Sequence, residues 1–306
     1  MLFISNFIHQ YFIPMKIIPG EIKTSELHSY LLGAVAPRPI CFASTVNAAG
    51  NPNVSPFSFF NVFGSNPTTL IFSPARRVRD NTTKHTLQNI YETKEVVINV
   101  VNYAMVQQAS LSSCEYPKDV DEFVKAGFTK LVSEKVKPFR VAESPVQMEC
   151  KVRDIIETGA EGGAGNLVIC EVLVMHINDA VLNETKQIDP QKIDLVARMG
   201  GDFYCRASGT AVFVVAKPNT QLGIGIDGLP EGIRNSKILS GNQLGQLANV
   251  HEMPVADPSF EDERLKNIIL YYSLSAEEMD EELHRYAKEL LDAGKVTDAW
   301  QVLLVL

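Results

Sequence analysis

The sequence predicts a mainly β fold in which antiparallel strands form a closed or split barrel, followed by a partly helical C-terminal extension. Between residues 16 and 209, strand-like segments follow one another in meander order, with single helices between them and no regular βαβ alternation. Residues 146–156 and 167–177 read as two long adjacent strands joined by a short glycine-rich loop, a spacing typical of antiparallel pairing. The last hundred residues are different, with a glycine-rich stretch and then a helical pattern.

The composition excludes several classes of protein. Of the 306 residues, 45% are hydrophobic and 21% are charged, which argues against disorder. The formal net charge of −8 argues against a nucleic-acid partner, because phosphate backbones require a basic field. Residues 257–292 account for −7 of that charge, so the remainder of the chain is nearly neutral.

The cysteines and the N-terminal residues indicate the cellular compartment in which the protein is expected. Five cysteines at irregular spacing, without a C-x-x-C pair, predict reduced thiols in a cytoplasmic protein. The first 14 residues are apolar but lack a basic start and an A-x-A-like cleavage site, so a signal peptide is rejected. The stretch is also shorter than a membrane span, and no membrane partner is expected. We therefore expect an upstream-start artefact or a loose arm at residues 1–15, a barrel at 16–209, and an extension at 210–306 that packs on the barrel or on a dimer partner.

Turn residues and apolar spacing predict the elements of the barrel in order. Residues 24–33 form a short helix that Thr24 or Ser25 caps and Gly33 ends. The following elements are strands at 40–46, at 54–62 with a break at Pro56, and at 69–73, then a helix at 80–93 and a strand at 95–101. Asp80 or Asn81 is the expected cap of the second helix.

The remaining elements are less regular. Residues 102–127 are expected to be helical with interruptions, and residues 211–215 to form a strand. Near the C-terminus, Ser275 and Glu278 have the spacing of a capping box, and Gly294 is expected to end the helix that follows them.

Common catalytic and metal-binding motifs are missing from the sequence. It contains no phosphate-binding P-loop and no G-x-S-x-G nucleophile motif. Residues 223–228 approach a G-x-G-x-x-G spacing, but no βαβ pattern surrounds them. The six histidines are scattered without H-x-x-x-H spacing, so neither a metal site nor a catalytic side chain is predicted.

A candidate anion site lies before the second helix. Residues 76–84 carry four bases and one acid, and Thr82 and Thr83 precede the helix. Hydroxyls, cationic side chains and helix N–H groups together suit a phosphomonoester. The alternative is that the hydroxyls cap turns and that the arginines belong to a solvated loop.

Several motifs in a fixed order identify a family. They are PRPI at 37–40, STV at 44–46, GN-x-N at 50–53, SPFS at 55–58 with FN at 60–61, a strand ending in SP at 73–74, and KHTLQNI at 84–90. Together with ARMGGDFYCR at 197–206, they resemble the flavin reductase-like, FMN-binding split-barrel family, in its flavoredoxin-type branch. The resemblance covers about residues 16–209.

This resemblance implies a six-stranded antiparallel Greek-key split β-barrel that forms a homodimer with FMN at the subunit interface. The cofactor-binding residues it implies are Ser44, Thr45, Val46, Ser55, Pro56, Phe57, Ser58, Phe59, Asn61, Arg76, Lys84 and Thr86. The flavin ring is expected against Ser44, Thr45, Val46, Phe59 and Asn61, and the phosphate against Ser55, Ser58, Arg76, Lys84 and Thr86. One departure is His85, which stands where relatives often have Asp.

The activity implied by the resemblance is that of an NAD(P)H:flavin oxidoreductase, in which hydride passes from a nicotinamide to flavin N5. No acid–base side chain is needed, because the cofactor carries that chemistry. Two alternatives stay open: an electron carrier with tightly held FMN, and a flavin-binding module without turnover. The expected partners are a second copy of the chain and an acceptor protein or monooxygenase that the sequence does not name. It also does not distinguish NADH from NADPH.

Overall fold

The computed structural model describes residues 15–118, 120–217 and 221–305. The chain divides into two compact units between Phe213 and Val214. Residues 1–14 of the predicted N-terminal arm lie outside the described residues, and the predicted boundaries after residues 15 and 209 stay predictions.

The first unit contains most of the strands. Its helices are α1 (Thr24–Ala34), α2 (His85–Thr93), α3 (Val106–Leu111) and α4 (Glu122–Ala126). Its strands are β1 (Cys41–Val46), β2 (Pro52–Phe57), β3 (Phe60–Ser65), β4 (Thr68–Phe72), β5 (Glu95–Val100), β6 (Lys130–Leu131), β7 (Arg140–Val141), β8 (Val146–Glu157), β9 (Asn166–Ile177), β10 (Leu195–Arg198) and β11 (Tyr204–Ala207). Short 3₁₀ helices occupy Tyr103–Met105, Asp179–Val181 and Gly209–Ala211.

In the described part of this unit, seven strands form one antiparallel sheet in the order β2-β1-β5-β8-β9-β4-β3. The two edge strands, β2 and β3, are consecutive in sequence and are separated only by Ser58 and Phe59. The two edges of the sheet therefore lie together at this corner, and the sheet curls into a split barrel. The predicted hairpin of β8 and β9 is confirmed, with Val146 opposite Ile177 and Glu157 opposite Asn166.

The strand predicted over residues 54–62 is wrong as a single element. Pro56 does not break it, because Pro56 lies within edge strand β2 opposite Phe42, where a missing N–H is tolerated. The chain instead bends at Ser58 and Phe59 and enters the opposite edge of the sheet. The resemblance implies six strands, which is the number obtained when β2 and β3 are counted as one bent strand.

Strand β1 is buried along its whole length because apolar clusters cover both of its faces. Cys41 and Ala43 belong to the cluster inside the barrel, around Phe72 and Ile98. Phe42 points to the opposite face and belongs to a second cluster, against Phe128. The strand is therefore held in place from both sides, and so are the hydroxyl residues that follow Ala43.

Two helix ends differ from the prediction. Helix α1 continues through Gly33 to Ala34, and no side chain caps its start. Helix α2 begins at His85 and not at Asp80. The Asp80 carboxylate accepts hydrogen bonds from the N–H and hydroxyl of Thr82, and Asn81 has a φ of 56°, so the chain turns here before the helix starts.

The second unit is helical in its described residues. Its helices are α5 (Glu231–Arg234), α6 (Gly241–Ala248), α7 (Glu263–Tyr271), α8 (Ala276–Asp292) and α9 (Val296–Leu303), with a 3₁₀ turn at Ile226–Gly228. One half of the predicted capping box of α8 is present, because the Ser275 hydroxyl accepts from the Glu278 N–H, whereas the Ser275 N–H donates to the Tyr272 carbonyl. Gly294 follows the helix with a φ of 75°. The strand predicted at 211–215 is wrong: a 3₁₀ turn ends at Ala211, and no strand follows it before residue 217.

None of the helices within the described ranges combines the length and apolar character needed to cross a bilayer.

Candidate functional site

A small pocket in the first unit brings together side chains that are distant in sequence. Its lining residues are Asn53, Ser55, Arg77, Lys84, His85, Thr86, Ser112, Ser113, Cys114, Glu115, Tyr116 and Glu122. Three residues predicted to bind the phosphate, Ser55, Lys84 and Thr86, are among them. The cavity of about 20 Å³ accommodates one or two water-sized groups. It therefore suits a compact polar group and is too small for a flavin ring.

The elements around the pocket explain why these side chains face it. Ser55 follows buried Val54 on β2, and strand alternation turns its hydroxyl away from the core. Lys84 precedes α2 and Thr86 lies in its first turn. The side chain of Lys84, the N-cap residue, does not cap this nine-residue helix, and the positive end of the helix dipole lies at the pocket.

The charges at the pocket come from a short loop and from the segment around Glu115. Arg77 Nε lies 2.9 Å from one oxygen of Glu115, and Arg79 lies 2.8 Å from the other. The hydrogen bond from Arg79 and the charge of Arg77 lower the pKa of Glu115. Burial, together with the nearby charge of Arg77, lowers the pKa of Lys84. The two cations that line the pocket thus differ: Arg77 is paired with a carboxylate, whereas Lys84 has no ion pair among the described residues.

A buried polar network continues from the pocket towards β1. The Thr86 hydroxyl donates to Asn53 Oδ1 at 2.7 Å, and the Thr45 hydroxyl approaches the same atom at 3.4 Å. Asn89, one turn after Thr86, donates to Thr45 Oγ1 at 3.1 Å. Asn53 Nδ2 in turn donates to Glu122 Oε1 at 3.0 Å. The network therefore connects Thr45, predicted on the ring side, with Thr86, predicted on the phosphate side.

Sequence reasoning did not select Asn53 or Glu122. Asn53 lies within the GN-x-N motif, and a polar residue between strand residues was the available signal. Glu122 follows Asp121, which caps α4 by accepting from the Phe123 N–H, so the two acids have the pattern of an ordinary helix start.

The residues predicted against the flavin ring divide into two groups. Ser44 and Val46 are buried in β1, and the Ser44 hydroxyl has no hydrogen-bond partner among the described residues. Phe59 and Asn61 are exposed at the corner between β2 and β3, where Phe59 packs edge-on against His28 with ring centroids 6.1 Å apart. Neither of these two groups lines the small pocket.

The three residues between these groups have mainly structural contacts. Pro56 lies in β2 and is paired with Phe42 of β1. The Phe57 ring lies in the barrel core, 5.5 Å from the ring of Phe72. The Ser58 hydroxyl accepts from Arg38 Nε at 3.4 Å. In a continuous strand, the side chains of Phe57 and Phe59 would lie on the same face of the sheet. They do not, because β2 ends at Phe57 and the chain bends.

Arg76 and Arg77 have different roles in the loop before α2. Arg76 Nε donates to Asn81 Oδ1 at 2.6 Å, and a second guanidinium nitrogen donates to the Asn81 carbonyl. Arg76 thus stabilises the turn and does not line the pocket, whereas its neighbour Arg77 does.

A second cavity, of about 180 Å³, lies elsewhere in the first unit. Its lining residues are Tyr103, Val106, Gln107, Ser110, Val196, Tyr204, Cys205 and Arg206. None of the residues predicted to bind flavin lines it. Among the described residues, no group of three His, Cys, Asp or Glu side chains is arranged to hold a metal ion.

Comparisons with known proteins agree with this fold. Residues 33–191 match the family described as flavin reductase like domain. A protein of Aquifex aeolicus (strain VF5) is 34% identical over 195 residues, which are 64% of this chain and 97% of the relative. Among solved structures, nitrilotriacetate monooxygenase component B from Bacillus cereus is 25% identical with a TM-score of 0.60, over 63% of this chain and 95% of that one.

Flavoredoxin of Desulfovibrio vulgaris (Miyazaki F) superposes with a TM-score of 0.51 at 22% identity, over 66% of this chain and 97% of that chain, and shares the fold. The predicted antiparallel split barrel is thereby confirmed. All residues that line the small pocket lie between positions 53 and 122, within the matched region.

Proposed function

The chain belongs to the flavin reductase-like family, and on that premise we propose that it is an FMN-dependent oxidoreductase that takes hydride from NADH or NADPH. The observation that supports this most directly is the pocket in which Ser55, Lys84 and Thr86 meet. Bound FMN would supply the hydride acceptor, flavin N5, so the side chains need to bind and orient without acting as acids or bases.

The pocket matches the phosphate end of FMN in chemistry. A phosphate is compact, is anionic and accepts hydrogen bonds, and the pocket offers the Lys84 ammonium, the Ser55 hydroxyl and the positive end of the α2 dipole. In our proposal Arg77 is the second cation of this site. Arg76 contributes indirectly, by holding the turn at Asn81.

The ring end is proposed to lie at the end of β1. Strand β5 pairs with β1 only from Cys41 to Ser44, so Thr45 and Val46 have a strand neighbour on one side, β2, and none from β5. Backbone groups at such a strand end are suited to bind the polar edge of a flat ring, and the small side chains allow close approach. Phe59 and Asn61 would contribute from the corner between β2 and β3.

We further propose a homodimer. Exposed apolar side chains lie on strands of the sheet, and these are Val62 and Phe63 on β3 and Leu173, Met175 and Ile177 on β9. Apolar residues at this density on a surface favour association. The division of the predicted ring residues between two places is also consistent with a site completed by a second copy. Light scattering of the purified protein would give twice the mass of one chain.

The electron acceptor is proposed to be free flavin or a partner protein in the cytoplasm. The similar component B from Bacillus cereus belongs to a monooxygenase, which supports delivery of reduced flavin to such a partner. The free cysteines of the described residues are consistent with a reducing compartment.

An absorbance spectrum taken before and after anaerobic addition of NADH or NADPH tests this function. We expect flavin bands near ~375 and ~450 nm that bleach rapidly with one of the nicotinamides. A yellow protein that bleaches only with dithionite would instead favour the electron carrier. A colourless protein that neither binds added FMN nor oxidises NAD(P)H in its presence would overturn the proposal.

A further inference from the structure

The side wall of the small pocket contains a buried carboxyl group that the proposed function does not use. Glu122 is only 4% exposed and lines the pocket together with Ser55 and Lys84. Its two oxygens accept from Asn53 Nδ2 at 3.0 Å and from the Val54 N–H at 3.4 Å. Both donors are neutral, and Glu122 forms no ion pair within the part of the chain that the structure describes.

The charged and titratable groups around Glu122 come from three segments. On its own helix, Asp121 precedes it as the N-cap residue and is paired with Lys130, and Lys125 follows in the last turn with its ammonium over the Tyr116 ring. Strand β2 presents only the neutral Asn53 and Ser55, and helix α3, which also packs on α4, has no titratable side chain. The other groups that line the pocket are Arg77, Lys84 and His85 on one side and Cys114, Glu115 and Tyr116 on the other.

The environment of Glu122 favours the neutral form of its carboxyl group more than exposure to solvent would. Burial raises the pKa of Glu122, hydrogen bonds from its own N–H, from the Val54 N–H and from Asn53 oppose the rise, and the charge of Asp121 adds to it. Glu115 is the opposite case in the same pocket, because Arg79 and Arg77 lower the pKa of its carboxyl. An anion that enters the pocket adds a negative charge near the carboxyl groups of both Glu115 and Glu122. Glu115 is paired with Arg77 and Arg79, whereas Glu122 has no cationic partner among the described residues.

We propose that Glu122 couples flavin phosphate binding to protonation, with its carboxyl taking up one proton from solvent as the phosphate enters the pocket. The inference rests on the proposed function. A protonated Glu122 keeps a carbonyl oxygen that accepts from Asn53 and gains an O–H that can donate to a neighbouring oxygen. No buried carboxylate charge is then left beside the phosphate, and FMN affinity increases as pH falls, by at most about tenfold per pH unit for one proton.

Isothermal titration calorimetry of FMN in two buffers of equal pH and different ionisation enthalpy measures the proton uptake directly. We expect net uptake to be larger in the wild type than in Glu122→Gln, and FMN affinity to depend less on pH in the variant. The phosphate of FMN titrates near pH 6 itself, but this contribution is common to both proteins and cancels in the difference. Glu184→Gln is the matched control, because Glu184 is exposed and does not line the pocket, and its replacement is expected to leave proton uptake unchanged.

Riboflavin 5′-sulfate keeps the experiment decisive if Glu122→Gln does not fold. This ligand is an anion that does not titrate near neutral pH, so any proton taken up is bound by the protein, and a parallel titration of His85→Gln separates uptake by Glu122 from uptake by the histidine that lines the same pocket. Uptake with the sulfate and none with uncharged riboflavin is the expected result. FMN binding with equal uptake in wild type and variant, or sulfate binding without uptake, overturns this inference and leaves the proposed function standing. No FMN binding at all overturns both.

Discussion

At the scale of single residues, the Asn53 side chain holds the candidate site together. Its oxygen accepts from the hydroxyl of Thr86 and lies within reach of that of Thr45, while its nitrogen donates to Glu122. Only an amide offers an acceptor and a donor in this arrangement. Aspartate would place a second carboxylate against Glu122, and an apolar residue would leave the hydroxyls without their acceptor.

Replacement of Asn53 tests this role through stability. We expect Asn53→Ala to lower the free energy of unfolding by about 2–4 kcal/mol, because buried polar groups on three other elements, β1, α2 and α4, lose a partner. Urea unfolding followed by circular dichroism measures the change. Asn51→Ala is the control: Asn51 is exposed, its side chain makes no hydrogen bond in the described structure, and a change within about 0.5 kcal/mol is expected. Equal losses in both variants would contradict the argument.

The phosphate site is tested by removing one cation and one hydroxyl. Lys84→Ala combined with Ser55→Ala is expected to weaken FMN binding by about 2–4 kcal/mol, because charge-assisted hydrogen bonds to the phosphate are lost. Binding of riboflavin, which has no phosphate, should change little. Lys94→Ala removes a charge at the other end of α2 and serves as the control. If the double variant loses FMN and riboflavin affinity equally, its residues do not contact the phosphate.

At the scale of elements, Glu149 on β8 ties an irregular segment to the β8–β9 hairpin. Its buried carboxylate accepts from the N–H groups of Glu134 and Lys135 and lies 2.7 Å from His176 Nε2 on β9. Burial by itself raises the pKa of Glu149, but these hydrogen bonds outweigh it and the pKa lies below the ordinary value of 4.5. The ionised form is therefore the one that the folded hairpin stabilises.

This arrangement predicts a loss of stability in acid. Because the folded pKa of Glu149 is depressed, its contribution is present above pH 4.5 and disappears as pH falls through the folded value. We expect Glu149→Gln to lower the free energy of unfolding at pH 7 by about 1–3 kcal/mol and to lose less stability than wild type between pH 5 and pH 3. Urea titrations of both proteins across this range provide the measurement. Parallel pH profiles would show that Glu149 is not the responsible group.

Local sequence patterns predict some of the elements and contacts and miss others. The β8–β9 hairpin and the cap of α8 follow from local patterns, namely β-branched strands around a glycine-rich loop and a serine three residues before a glutamate. The bend at Ser58 and Phe59 lies between two similar Ser- and Phe-containing segments and has no Gly, Asn or Asp at the bend itself, so the local sequence does not distinguish it from the flanking strands. The pairing of Asn53 with Glu122 joins residues 69 positions apart, and single-sequence spacing contains no signal for such a contact.

At the scale of the whole molecule, each of the two units has a buried core of its own. The clusters of the first unit are formed by residues between Ile40 and Val196, and that of the second by residues between Leu229 and Leu303. The second core surrounds Trp300, the single tryptophan of the chain, which is 1% exposed and donates to the Leu247 carbonyl at 3.2 Å. A unit with its own core is expected to fold by itself.

A chain truncated after Phe213 tests this independence. We expect residues 1–213 to keep a cooperative unfolding transition, their oligomeric state and their FMN affinity. The reason is that the first core, the exposed apolar side chains of β3 and β9, and the small pocket all lie in the first unit. In the full-length protein, Trp300 fluorescence should then report the unfolding of the second unit alone, with a urea midpoint different from that seen by flavin absorbance. If the truncated chain aggregates, or binds FMN more than about tenfold less tightly, the second unit contributes directly to the stability or the site of the first. Coincident transitions in the full-length chain would support that same conclusion, because two independent cores of such different composition have no physical reason to unfold at one denaturant concentration.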